Sequence, residues 1–220
     1  RNFEPALSRL ASRSHHLHLV AERKDTVGGM KTIENLQRAH PGRVTWSYAP
    51  VRKDAAWQPL AVQVRLCLDC WRYLDARYDA SPSLRARAAR QAPRFASRLP
   101  RWPLVGSRAA MRVWQSLFRA IERAIPPGDA VERFLREQQP DLLLLTPLLY
   151  FGSQQVEYVR AAKALGIPTV LGVGSWDHLT TKGLIHEAPH RVLVWNEFQK
   201  REAGELHGVP PGDVTVTGAQ

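Results

Sequence analysis

Four stretches of this chain pack apolar residues at strand length and are bounded by turn residues or by segments of helical period. They are Asp141-Leu-Leu-Leu-Leu-Thr146, Pro168-Thr-Val-Leu-Gly-Val173, Arg191-Val-Leu-Val-Trp195 and Asp213-Val-Thr-Val-Thr217. The 141–146 and 191–195 runs are continuous in apolar residues, which suits strands buried on both faces, as in a parallel sheet. Helical periods lie between most of them, over 151–165 and 197–207. Two joints are near copies: Ala164-Leu-Gly-Ile-Pro168 and Leu206-His-Gly-Val-Pro210 each place a Gly to close a helix in the left-handed region and a Pro to stop it continuing. Successive αβ units follow from that grammar.

Upstream the pattern is the same but weaker. A helix over 1–11 places Phe3, Leu7 and Leu10 on one face, His16–Val20 reads as a strand, and a Gly28-Gly29 turn leads to a helix from Lys31 to Arg38. Val44-Thr-Trp-Ser-Tyr48 is the next strand. From Trp57 to Tyr78 apolar residues recur every three or four positions, and a further helix runs from Ser107 to Ile125. The expected fold is α/β, a Rossmann-like, mostly parallel sheet with helices on both faces, in one domain over 1–220. The chain opens on a helix and closes on a strand and a small-residue turn, so it is expected to lack a first strand and to continue into a second domain.

Charge changes the picture locally. The 220 residues carry a formal net charge of +11, and between Arg85 and Arg123 ten arginines face one acid, Glu122. Within the basic, aromatic segment 81–127, Arg94, Arg98, Arg101, Trp102 and Arg108 are candidates for contact with an anionic membrane surface. A core helix with Val113, Leu117, Ile121 and Trp114 turned inward is the plainer alternative, and Arg-rich composition by codon bias another. Nucleic acid is a weaker partner for this segment, because no zinc finger, RNP aromatic motif or helix-turn-helix is present. Cys67 and Cys70 form Cys-Leu-Asp-Cys inside a helix, with neither the strand before it that a redox motif needs nor further ligands for zinc, so two reduced thiols are expected. The sequence contains no apolar run of membrane-spanning length.

Candidate chemistry gathers after the 168–173 strand. In an open parallel sheet the strand carboxyl ends line the ligand crevice, which puts Ser175, Trp176, Asp177, His178, Thr180, Thr181 and Lys182 beside it. Asp177, and after it His178, are the acid/base candidates, since a carboxylate and an imidazole can each take a proton from a hydroxyl. The opposing reading has Asp177 tying its own loop. Trp176 can stack on a ring and Lys182 can meet a phosphate. Tyr150, Ser153 and Gln154 follow the preceding strand and border the same crevice, with a helix-capping role open to Ser153. The Gly172-Val-Gly174 pair lacks the third glycine of a dinucleotide fingerprint, and no nucleophile elbow, Walker loop or HExxH is present.

Arg1-Asn-Phe-Glu4, Thr146-Pro-Leu-Leu-Tyr-Phe-Gly-Ser153, Ser175-Trp-Asp-His-Leu-Thr-Thr-Lys-Gly183, Val194-Trp-Asn-Glu-Phe-Gln-Lys200 and Val216-Thr-Gly218 together resemble the N-terminal domain of bacterial GT-B-type glycosyltransferase-like proteins, near the surface-polymer glycosyltransferases and glycerophosphotransferases. The resemblance covers both ends of the chain and not 52–127, and His178 stands where similar sequences have Asn. It implies two facing Rossmann-like domains, this one on the acceptor side and a C-terminal one, outside the chain, for a nucleotide-sugar donor. The implied activity is transfer of a sugar or related group to an acceptor hydroxyl, which can be lipid-linked, with Asp177 as base or orienting group and no cofactor or obligatory metal. The fragment alone would be inactive. The implied location is the cytoplasm, at the inner face of the membrane. A nucleotide-sugar 2-epimerase of related fold and a non-enzymatic anion-binding module are the alternatives.

Overall fold

The computed structural model describes residues 3–22, 29–50, 57–103, 105–126 and 128–219. Arg1, Asn2 and Gly28, used in the sequence expectations, lie outside the described residues, as do positions 104 and 127 of the basic segment. The protein is α/β, with two sheets in which every strand pairing is parallel. It divides into two compact units, Arg1–Val51 with Gly218–Gln220 and Arg52–Thr217.

The first unit contains α1 (Glu4–Ser12), β1 (Leu17–Ala21), α2 (Gly29–Ala39) and β2 (Val44–Tyr48), with β1 and β2 forming a parallel pair in the register Leu17 to Val44. Parallel pairing of neighbouring strands requires a crossover, and α2 supplies it. Its small core holds Ala11, Leu36 and Val44.

The second unit begins with helices: α3 (Gln58–Arg72), α4 (Pro82–Gln91), α5 (Arg94–Arg98), α6 (Arg108–Ala124) and α7 (Asp129–Gln138). The 81–103 stretch is thus largely helical. The helix expected to reach Tyr78 stops at Arg72, and a separate short turn over Ala76–Tyr78 follows, capped by the Asp75 carboxylate on the Arg77 amide. Ser107 caps α6 by accepting from the Ala110 amide. The inward side of α6 carries Met111, Trp114, Phe118 and Ile121, which pack with Val64, Leu68 and Trp71 of α3. Val113 and Leu117, expected to turn inward, are instead 68% and 46% exposed.

The rest of the unit is β3 (Leu143–Leu145), α8 (Val156–Ala164), β4 (Thr169–Gly172), α9 (His178–Thr181), β5 (Arg191–Val194), α10 (Glu197–His207) and β6 (Val214–Val216). Its four strands lie in the order β3-β4-β5-β6. Leu145, Leu171, Val192, Val194 and Val214 form the sheet's share of the main core, packed with Val131 and Val159 among others from the helices. Both predicted joints are built as expected: Gly166 (φ +71°) closes α8 and Gly208 (φ +72°) closes α10. Among the described residues, no helix is long and apolar enough to cross a membrane.

Candidate functional site at the carboxyl edge of the sheet

Because β3 to β6 all run the same way, the segments that follow them emerge at one edge. The segment after β4 turns at Ser175–Asp177 and enters the single turn of α9. Asp177 organises that turn. Its carboxylate accepts from the Ser175 hydroxyl at 2.6 Å and from the Thr181 hydroxyl at 2.8 Å, and its carbonyl accepts from the Thr180 and Thr181 amides and hydroxyls. Burial by itself would raise the Asp177 carboxyl, but the two hydroxyl bonds and the nearby charge of Lys182 outweigh it and hold the group below the usual carboxylate range. The loop-tying role is therefore realised, and the group stays ionised at neutral pH.

His178 is partly buried, with Nδ1 enclosed and without a hydrogen-bond partner. Burial, opposed by the Asp177 charge and reinforced by that of Lys182, lowers its pKa and keeps the ring neutral. Trp176 is 74% exposed, Tyr150 is 55% exposed and Gln154 is also exposed. Ser153 is buried: its carbonyl accepts from Arg65 and its hydroxyl from the Gln155 amide. It serves the turn into α8. Thr180 and Lys182 are partly exposed, so the structure brings Ser175, Asp177, Thr181 and Lys182 into one cluster and turns Ser153 inward, into a junction with α3.

What fixes this loop is the backbone. Arg72 of α3 donates to the carbonyls of Leu179, Lys182 and Gly183 and to the Tyr78 hydroxyl. The Tyr73 hydroxyl lies 3.2 Å from the Thr180 carbonyl and 2.7 Å from that of Lys182, Arg87 donates to Thr181, and His207 donates Nε2–H to Leu179. From the other side Gln199, 2% exposed, donates to the carbonyls of Ser175 and Trp176 and accepts from the Trp195 amide, while the Trp195 indole donates to the Val173 carbonyl. Charged and amide donors aimed at buried carbonyls leave the side chains of the loop to other uses.

A second junction lies beside it. Asp69, fully buried, accepts from the Gly152 amide at 2.8 Å, the Leu184 amide at 2.7 Å and His186 Nε2 at 2.9 Å. Gly183 fits against it without a side chain, since a Cβ there would lie 2.6 Å from the Tyr150 carbonyl oxygen and 3.0 Å from Asp69 Oδ2. Arg65 and Arg160 meet on Glu122, at 2.9 and 2.8 Å, in a buried bridge between α3, α6 and α8. None of Asp69, Arg72 or Tyr73 stands out by motif, and Gln199, though inside the 194–200 segment that carries the resemblance, has no role in the sequence expectations. The available signal was the spacing of Arg65, Asp69 and Arg72, which places three charges on one stripe of a helix whose other positions are largely apolar.

The flanking cysteines carry no chemistry. Cys67 and Cys70 are buried and unbridged, and burial first, then the neighbouring acidic groups, pushes their thiols up to about 12 and about 11. Among the described residues no group of three His, Cys, Asp or Glu side chains is placed to hold a metal ion. On the helical side of the unit, Arg94, Arg98, Arg101, Trp102 and Arg108 are all exposed. No family model, curated protein or solved structure matches this chain.

Proposed function

We propose that this chain is the acceptor-side, Rossmann-like domain of a GT-B-type enzyme that transfers a sugar or related group from a nucleotide-activated donor to an acceptor hydroxyl. The observation that carries the reading is the anchored turn after β4. Its carbonyls are consumed by Arg72, Tyr73, Arg87, His207 and Gln199, while Trp176, the Asp177 carboxylate and Lys182 are held at the sheet's carboxyl edge. Such a turn is preorganised, and an exposed indole beside an ionised carboxylate is suited to a polyhydroxylated ligand: the ring packs on an apolar sugar face and the carboxylate accepts from a hydroxyl.

In this reading an acceptor hydroxyl displaces Ser175 or Thr181 as a donor to Asp177. The acceptor oxygen then attacks the donor's anomeric carbon, and the bond from that carbon to the diphosphate breaks. The proton passes to Asp177 as the new bond forms. A carboxylate held below its usual range is a weak base, so its larger share is orientation, with proton uptake late in the step. The neutral His178 ring stands beside it. Donor binding and stabilisation of the departing diphosphate belong, in this proposal, to a second domain outside residues 1–220.

The test is binding and turnover of UDP-, GDP- and CDP-linked sugars by a longer protein carrying both halves, beside residues 1–220 alone. Turnover by the longer protein, with kcat reduced about a hundredfold in Asp177→Asn and donor KM unchanged, supports the reading. Turnover unaffected by Asp177→Asn, or no donor bound by either protein, overturns it. Release of a free sugar or an epimerised nucleotide sugar without an acceptor would assign the fold to epimerisation instead.

A further inference from the structure

The outer side of α6 is built unlike that of an ordinary solvated helix. At 100° per residue, Ala109, Val113, Leu117, Ala120 and Ala124 form one exposed strip, and Arg108, Arg112, Arg119 and Arg123 form another beside it. The helix has 17 residues, so both strips run for about 25 Å. Its single acid, Glu122, is 2% exposed and committed to Arg65 and Arg160 on the inner side. Among the described residues Arg112, Arg119 and Arg123 have no acidic partner. Alongside, α5 adds exposed Arg94 and Arg98, and its Phe95, 53% exposed, has its ring 6.3 Å from that of Phe118.

From this juxtaposition we propose that α6, flanked by α5, is a docking surface for an anionic lipid bilayer, lying in the plane of the membrane with Val113 and Leu117 in the acyl boundary and the arginines on lipid phosphates. The two strips call for different partners at one depth. Three arginines without acids, with Arg108 beside them, call for an anionic surface, and the branched aliphatic side chains alongside need hydrocarbon. A bilayer interface offers both together. A second copy of the chain would set arginine strip against arginine strip. Nucleic acid would satisfy the arginines and could stack on Phe95, but it offers nothing to Val113 and Leu117, which have no ring to stack. The arginine stems also cover apolar surface while their heads reach phosphate, which lets the strips act as one face. The inference stands apart from the transferase reading, since no residue of the β4 turn takes part.

The experiment is vesicle flotation of the purified chain with phosphatidylcholine alone and with phosphatidylcholine containing phosphatidylglycerol, at low and high salt, with a random DNA duplex as a parallel arm. Flotation with the anionic vesicles only, weakened by salt, is expected. Arg112→Gln with Arg119→Gln and Arg123→Gln should lower the partition by about fivefold per arginine. Val113→Ser with Leu117→Ser should lower it about tenfold or more at unchanged circular dichroism, both positions being exposed. Failure to float with anionic vesicles overturns the proposal, as does flotation indifferent to the Val113→Ser, Leu117→Ser pair. Duplex binding that survives this pair, without flotation, would assign the face to nucleic acid.

Discussion

Asparagine at position 69 would remove one acceptor from a buried node that serves three donors. Asp69 Oδ1 takes the Leu184 amide and His186 Nε2, and Oδ2 takes the Gly152 amide. The better orientation of Asn keeps its oxygen on Leu184 and His186, which sets its NH2 against the Gly152 N–H, donor facing donor. One buried amide is then orphaned, at a cost of about 1–3 kcal/mol. Alanine orphans all three donors and costs roughly 3–9 kcal/mol by the same reasoning, a large share of the ~5–15 kcal/mol that stabilises a domain. Amide hydrogen exchange reads the difference locally: in Asp69→Asn, Gly152 should exchange about tenfold to a hundredfold faster, while Leu184 changes less and peptides from β5 stay at their wild-type rates. Equal acceleration at Gly152 and Leu184, or none at either, would refute the division of acceptors and with it the view of Asp69 as the node joining these two segments.

Two further substitutions probe the same neighbourhood. Gly183→Ala forces a Cβ within 2.6 Å of the Tyr150 carbonyl and should destabilise by about 1–3 kcal/mol in urea unfolding, whereas Gly212→Ala, whose Cβ would meet nothing within 4 Å, should change stability by less than ~0.5 kcal/mol. His207 accepts from the Ile185 amide at Nδ1 and donates Nε2–H to Leu179, and burial first, then the Arg72 charge, lowers its pKa to about 3. The folded form therefore binds fewer protons than the unfolded chain, whose imidazole titrates near 6.5, so the contribution is full above about pH 6.5 and falls as the pH drops toward 3, by up to ~1.4 kcal/mol per pH unit. The stability difference between wild type and His207→Gln, followed from pH 7 to pH 4, should shrink as the pH falls. A difference constant across that range would show that His207 does not carry the dependence.

The sheet of the second unit was legible because β3 and β5 are continuous apolar runs and because Gly166 and Gly208 adopt positive φ at the joints. The rotation of α6 was not. Apolar residues at 111, 113, 114, 117, 118 and 121 cover a broad arc, just under half the helix circumference, so periodicity alone does not fix which edge of it turns inward. The choice is made by tertiary contact: Glu122 must face inward to meet Arg65 and Arg160, which carries Met111, Trp114, Phe118 and Ile121 with it and leaves Val113 and Leu117 outside. A similar blindness hid the node on α3. In Cys-Leu-Asp-Cys the spacing drew the eye to the thiols, whereas the chemistry of the segment resides in the aspartate between them, whose partners lie more than eighty residues away in the chain.

Buried joints of this kind also account for residues within 146–153, 175–183 and 194–200 that are shielded from solvent. Gly152, Ser153, Gly183 and Gln199 are buried at joints with α3 or within the β4 turn, where a side chain would not fit or where a specific donor or acceptor is required. A turn anchored through its carbonyls by Arg72, Tyr73 and Arg87 is fixed in place whatever side chains it carries at its exposed positions. The Trp176 side chain is thereby left out of the anchoring, and the Asp177 carboxylate is held by two short hydroxyl bonds and the nearby Lys182 charge. The fold thus separates the positions that fix the turn from those left exposed on it. Under the proposed function, a substrate specificity set at positions 176 and 182 would change without disturbing the scaffold that holds the turn.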